Sequence, residues 1–212
     1  MTVVLIHSSP THIFMAADSA RWDCVLKRNI GPVKKIHQAE REIIAIGGSG
    51  LNRSKLASLL VSLNPSDDME LWINRYGKRL IRQNVTIAEA QNKNVRHSAF
   101  VWRGLFNASP MRVLRQHVPS GAITTSPSID LMGPDTAALE TIADRTLAGL
   151  SKNKSLPLDQ WAWDTILEAA EITPGVVSPP IDLIIARENT VSSLRLTSRP
   201  SSSAAFAIDL AE

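Results

Sequence analysis

The chain has 212 residues, 44% hydrophobic and 20% charged, with one cysteine and a formal net charge of +3. This balance belongs to an ordinary globular chain, able to bury roughly 70% of its unfolded surface, and it excludes low-complexity, collagen-like and disulfide-stapled classes. The 23 Lys and Arg are scattered with no aromatic-interleaved basic stripe, which argues against a nucleic-acid partner, and the five His show no ligand spacing, so neither metal nor cofactor is expected.

Thr2 to Ile6 is a β-branched run that predicts a buried strand. No basic segment precedes it and His7 to Pro10 ends it, so it is not read as a signal peptide. No apolar run approaches membrane-spanning length. With the lone Cys24, read as a small buried hydrophobe, this predicts a cytoplasmic protein with no membrane partner.

After the turn Ser8-Ser9-Pro10-Thr11, the run Ile13 to Ala17 predicts a second strand, hairpin-paired with the first and ended by Asp18. Ser19 to Gly31 is expected as a polar loop. Val33 to Ile36 and Ile43 to Ile46 predict another strand pair, ended by Gly47-Gly48-Ser49-Gly50. Leu56, Leu59, Leu60 and Leu63, then Met69, Trp72, Ile73, Tyr76 and Leu80, recur at helical spacing and predict two helices.

The period then returns to that of strands at Ser98 to Val101, Arg112 to Leu114 and Ile129 to Met132, with turn clusters at Asn107 to Pro110 and Pro119 to Gly121. Leu139, Ile142, Ala143, Leu147 and Leu150 line a third helix, with Asp135 as its N-cap. Trp163, Ile166, Leu167 and Ala170 line a fourth, ended by Pro174-Gly175. A hairpin of Ile181 to Ala186 and Val191 to Leu196 closes the pattern. The order is strands, two helices, strands, two helices, strands. It predicts an α+β protein, a four-layer αββα sandwich with helix pairs outside antiparallel sheets. One domain is expected over residues 2–197, with 198–212 as a flexible tail on which Phe206, Ile208 and Leu210 could form a docking patch.

Gly47-Gly48-Ser49-Gly50 before a helix suggests a phosphate cradle, but Leu51-Asn52-Arg53 stands where a P-loop needs Lys and Ser or Thr. The same turn still offers backbone N–H groups to an oxyanion. Thr2 is the more informative residue. A small second residue favours removal of Met1, which makes Thr2 the N-terminal residue. A terminal Thr carries a hydroxyl nucleophile and, on the same residue, an α-amine able to act as base near neutral pH.

Four motifs then stand in register: Thr2, Ala16-Ala17-Asp18-Ser19, Val33-Lys34-Lys35-Ile36, and Gly47-Gly48. Together they resemble the proteasome β-subunit family and its bacterial relatives, the HslV-type peptidases and the other bacterial proteasome homologues, most of all the bacterial homologues; these are N-terminal-nucleophile hydrolases. The resemblance implies the αββα fold and a threonine peptidase, a self-compartmentalising assembly of stacked homo-oligomeric rings fed with polypeptides by an ATP-driven unfoldase. It implies Thr2 as nucleophile, Lys35 as the charge that keeps the Thr2 amine neutral, Asp18 as partner of Lys35, and the Gly47 N–H as oxyanion donor; counting from Thr2 offers Lys34 instead, and strand alternation lets only one of the two lysines reach Thr2. It implies Arg21, Val33, Ala45 and Ser49 as the lining of the substrate side-chain pocket. Where the family has Gly-Ser-Gly this chain has Gly133-Pro134-Asp135, and Pro134 can donate no hydrogen bond. The family's later Ser is matched by Ser178, but its Asp falls near Gly175. A weakly active or silent ring subunit of the same fold, a small-amide hydrolase, or a basic binding domain therefore stay open as alternatives.

Overall fold

In the computed structural model, residues 2–23, 28–39, 41–48, 99–118, 120–151, 155–188, 190–201 and 204–209 are described. The first two apolar runs become β1 (Val4–Ser8) and β2 (His12–Asp18), an antiparallel hairpin. Every residue of β2 is buried, because both faces of its sheet are covered. That is why its sequence reads as a continuous apolar run with no period of two.

Next come β3 (Ala20–Asp23), β4 (Arg28–Pro32), β5 (Ile36–Gln38) and β6 (Glu42–Gly48). The expected loop from Ser19 to Gly31 is corrected: it holds the paired strands β3 and β4. Four of the five β4 residues are exposed, so no apolar face marks it in the sequence. The two helices expected within residues 56–80 lie outside the described residues, as do Cys24 and Ser49.

The chain continues with β7 (Ala99–Leu105), β8 (Arg112–Val118), β9 (Ile123–Thr125) and β10 (Ile129–Met132). Helix α1 (Thr136–Leu150) follows, its N-cap Asp135 accepting from Ala138 N at 3.1 Å. Then come β11 (Ser155–Pro157), α2 (Leu158–Ile172), β12 (Ile181–Arg187) and β13 (Thr190–Leu196). In the segment expected as a flexible tail, Ala204–Phe206 forms a 3₁₀ turn and β14 (Ala207–Asp209) pairs antiparallel with β11. Phe206 is buried there against Phe14, with ring centroids 6.4 Å apart. Arg187 holds the turn by donating to the carbonyls of Ala205 and Ala207.

Two five-stranded antiparallel sheets carry the fold, in the orders β10-β1-β2-β12-β13 and β5-β6-β7-β8-β9. Strand alternation sends Leu5, Phe14, Ala16, Leu183 and Ile185 to one face of the first sheet, where they pack on Leu139, Ala143, Trp161 and Ile166 of the helices. It sends Ile6, Ile13, Met15 and Ile184 to the other face, against Ile43, Ala45, Trp102 and Val113 of the second sheet. Each Leu, Ile, Val, Met and Phe among them contributes about 1.5–3 kcal/mol by leaving water. Trp161 also satisfies its indole N–H on Ala143 O at 3.0 Å, tying α2 to α1.

The described residues thus show a mixed, mostly β structure in three layers: the two helices, the first sheet and the second sheet. The expectation of four layers is narrowed to these three, since the second helix pair was placed in residues that lie outside the description. No described helix is long and apolar enough to cross a membrane.

Candidate functional site

One end of the sandwich gathers the start of β1 and the ends of β2, β6 and β10. The strand register fixes this: Val4 lies opposite both Ala17 and Met132, and Asp18 lies opposite Ile181. Asp18 is fully buried there, and both its carboxylate oxygens are used. Oδ1 accepts from Val3 N at 2.8 Å and from Lys35 Nζ at 2.7 Å, and Oδ2 accepts from Ala20 N at 3.0 Å. A carboxylate is stable out of water only when its lone pairs are met in this way.

Lys35 immediately precedes β5, the edge strand of the second sheet, and only 1% of it is exposed. Its carbonyl accepts from Ile46 N at 3.0 Å, which anchors it beside the end of β6. Lys34, its neighbour, is exposed. Residues 33–35 precede β5 and lie outside any strand, so the inward turn of Lys35 follows from this anchor and from Asp18. Thr2 is also buried, one residue before the N–H that Asp18 holds.

Gly47 is at the end of β6, opposite Phe100. A Cβ at Gly47 would lie 2.9 Å from Met132 Sδ and 3.0 Å from Trp102 Cζ3, so close packing between the sheets requires glycine here. Met132 is the strand partner of Val4, which brings Gly47 to the same end as Thr2. The four residues expected to be catalytic therefore lie at one end of the fold.

The residues expected to line a substrate pocket are less uniform. Val33 is half-buried and donates to Ser19 O at 2.8 Å, at the rim of this end. Ala45 is fully buried in the core between the sheets, opposite Ile36 and Trp102. Arg21 is on β3, with its side chain outside the described residues, and Ser49 lies outside them altogether. Ser178 sits near the β3–β4 pair, where Asn29 Nδ2 reaches its Oγ at 3.5 Å.

Two residues given no role from the sequence stand at the same end. Asp182 on β12 lies opposite Ala17, 8% exposed, with Oδ1 at 3.7 Å from Arg195 Nε and Oδ2 without a hydrogen-bond partner among the described residues. Burial pushes its carboxyl above the usual range, against the pull of Arg195, Lys34 and Lys35. The available signal was an acid inside the apolar run Ile181-Asp182-Leu183-Ile184. Ser19 is 1% exposed and its hydroxyl likewise finds no partner among the described residues. The arrangement can hold a buried cation beside the N-terminal segment, where low dielectric strengthens its effect on nearby groups. No cluster of metal-ligating side chains occurs among the described residues.

No protein-family model matches the chain, and no curated protein does. Among solved structures it is similar to an Anbu Gly-1 mutant from Hyphomicrobium sp. strain MC1, at 14% identity, 97% of this chain, 90% of that one and a TM-score of 0.57. It is also similar to Anbu, described as an ancestral β-subunit, from Yersinia bercovieri, at 14% identity, 93% of this chain, 88% of that one and a TM-score of 0.60. Membership of the proteasome β-subunit and HslV-type family, expected from the motifs, is corrected by these findings: no family model matches, and the structural likeness is to Anbu. At this identity the likeness establishes the fold, and the chain shares the fold of the Anbu proteins.

Proposed function

We propose that this chain is a peptide-bond hydrolase subunit whose nucleophile is Thr2, made N-terminal by removal of Met1. The observation that carries the reading is the buried Asp18–Lys35 pair, in which the carboxylate that holds Lys35 Nζ at 2.7 Å also holds the N–H of Val3 at 2.8 Å. Burying a lysine and its carboxylate is costly for structure alone; beside a terminal amine at Thr2 the pair has a chemical use.

In this reading the Thr2 hydroxyl attacks the scissile carbonyl carbon and its proton passes to the Thr2 α-amine. The C–N bond breaks, the leaving amine departs with that proton, and an ester remains on Thr2 for water to hydrolyse. Lys35 disfavours a second positive charge beside it and so keeps the amine able to accept the proton. Asp18 fixes Lys35. The Gly47 N–H faces the developing oxyanion. Val33, Arg21, Ala45 and Ser49 belong to the side-chain pocket in this proposal, and no metal or cofactor enters. Copies of the chain assemble into stacked rings in the cytoplasm, with an ATP-driven unfoldase supplying polypeptide, a reading supported by the likeness to a protein described as an ancestral β-subunit.

A second reading, a ring subunit of low activity, is favoured by Pro134, which offers no donor beside the β10 end of the site. Intact mass, peptide turnover and light scattering separate the two. Loss of Met1, a mass of many subunits, and turnover that is abolished by Thr2→Ala but retained in part by Thr2→Ser support the first. A ring without turnover supports the second. Full turnover in Thr2→Ala overturns the nucleophile.

A further inference from the structure

Beyond Met132 and Gly133 the fold opens into a cavity of about 460 Å³ along β10. This is within the roughly 300–1,000 Å³ typical of ligand sites. Its floor is apolar, formed by Pro127, Ile129 and Leu131. One wall is the ring of Phe100, with the Arg115 guanidinium carbon 4.0 Å from its centroid. The opposite wall is a single face of α1, where Thr136, Glu140 and Asp144 recur every fourth residue.

The charges on these walls do not cancel. Arg115 Nη1 is 3.1 Å from Asp130 Oδ1, so its charge is already answered. Asp130 is 5% exposed and also accepts from Trp102 Nε1 at 2.9 Å and from the hydroxyl of Ser126. Glu140 and Asp144 have no ion-pair partner among the described residues. Among the described residues the cavity therefore joins an apolar floor to two uncompensated carboxylates, which suits a ligand with an apolar stem and a cationic head.

The backbone narrows the ligand further. Among the described residues β10 has a strand partner, β1, on one side only. Its other edge presents main-chain groups to which an extended polypeptide can add as a strand. The Met132 end of that edge abuts Gly47 and lies opposite Val4, at the candidate site.

We propose that this cavity binds a lysine or arginine side chain of an extended polypeptide laid along β10. It deepens the peptide-hydrolase reading and rests on it for the polypeptide being a substrate. The test uses full-length protein carrying Thr2→Ala, so that nothing turns over, and three fluorescein-labelled hexapeptides that differ at one central position: lysine, norleucine or glutamate. Fluorescence anisotropy is expected to show the lysine peptide bound about 10-fold more tightly than the norleucine one, with the glutamate peptide weakest. Glu140→Gln with Asp144→Asn is expected to bring the lysine and norleucine affinities together without moving the melting temperature, since both side chains are exposed. Equal affinity for all three peptides overturns the proposal, as does a lysine preference that survives in the double variant. Unmutated protein that binds the lysine peptide as expected but leaves it uncut sinks the hydrolase reading while the cavity stands. Cleavage that ignores the central residue, with equal binding, does the reverse.

Discussion

Lys35 Nζ and Asp18 Oδ1 lie 2.7 Å apart with both side chains fully withdrawn from solvent, and they tie the end of β2 in the first sheet to the segment that leads into β5 of the second. Desolvating two charges costs several kcal/mol per ion, so such a pair is tolerated only when its remaining valences are met. Here Val3 N and Ala20 N complete the carboxylate.

The first expectation concerns that pair. Lys35→Ala leaves a buried carboxylate without its cation and should cost about 3–5 kcal/mol of unfolding free energy. Asp18→Ala should cost a similar amount, because it strands the ammonium and two backbone N–H groups. Lys34→Ala, at an exposed position, should stay within about 0.5 kcal/mol. Urea unfolding of the three variants checks this. A Lys34 effect as large as that of Lys35 would mean the two lysines are interchanged.

Asp182 should behave in the opposite way to Asp18. Its carboxyl is held above the usual range by burial, so ionisation costs the folded state more than the unfolded chain. Stability from this group is present when it is protonated and is lost as pH rises through its folded value. Asp182→Asn should therefore leave stability at pH 7 unchanged or higher, whereas Asp18→Asn should lower it. Paired denaturation curves at pH 7 and pH 5 decide the matter, and a large loss for Asp182→Asn at pH 7 would contradict it.

His12 sets an acid limit at the other end of the sandwich. Its Nε2 is 2.9 Å from His7 Nδ1 and its Nδ1 is 2.8 Å from Ser9 Oγ. Burial, with His7 and Arg187 nearby, lowers it from 6.5 to about 4, and burial lowers His7 as well. Above 6.5 the ring is neutral in both states, so it gives no pH dependence there. As pH falls from 6.5 toward about 4, the unfolded chain takes up a proton that the folded chain refuses, and stability declines. The melting temperature should fall across that window, and less steeply in His12→Gln. Identical slopes in the two proteins would refute the assignment.

Gly47 should prove to be a packing residue whatever else it does. Gly47→Ala places a methyl 2.9 Å from Met132 Sδ and 3.0 Å from Trp102, and should destabilise by about 1–3 kcal/mol. Met132→Ala in the same chain removes one of the two clashing groups. The double variant should then lose less than the sum of the single losses, as measured by a thermodynamic cycle. Additive losses would show that the methyl finds room without Met132.

Much of the strand framework was legible because its signals are local. The runs at Ile6, Ile13, Ile43 and Ile181 are apolar over successive residues, and strands covered on both faces read that way. Asp135 announced α1 by its capping chemistry. The β3–β4 pair was not legible, because β4 is mostly exposed and leaves no apolar trace. The docking of Phe206 onto Phe14 depends on a contact across 192 residues, which no local pattern encodes.

At the candidate site, the sequence by itself determined which groups the fold gathers: a threonine at position 2, an acid ending β2, a lysine pair and two adjacent glycines. Spacing alone did not decide which lysine turns inward, since residues 33–35 lack the strand geometry that would enforce alternation. Tertiary structure decided it, through the Ile46 N to Lys35 O hydrogen bond and the buried carboxylate of Asp18. It also moved Ala45 into the inter-sheet core and brought Asp182 to the end of the fold that holds Asp18. The reason is physical: local sequence sets the period and the caps, whereas the burial of a charge and the partner that compensates it are fixed only when two sheets from distant parts of the chain close on each other.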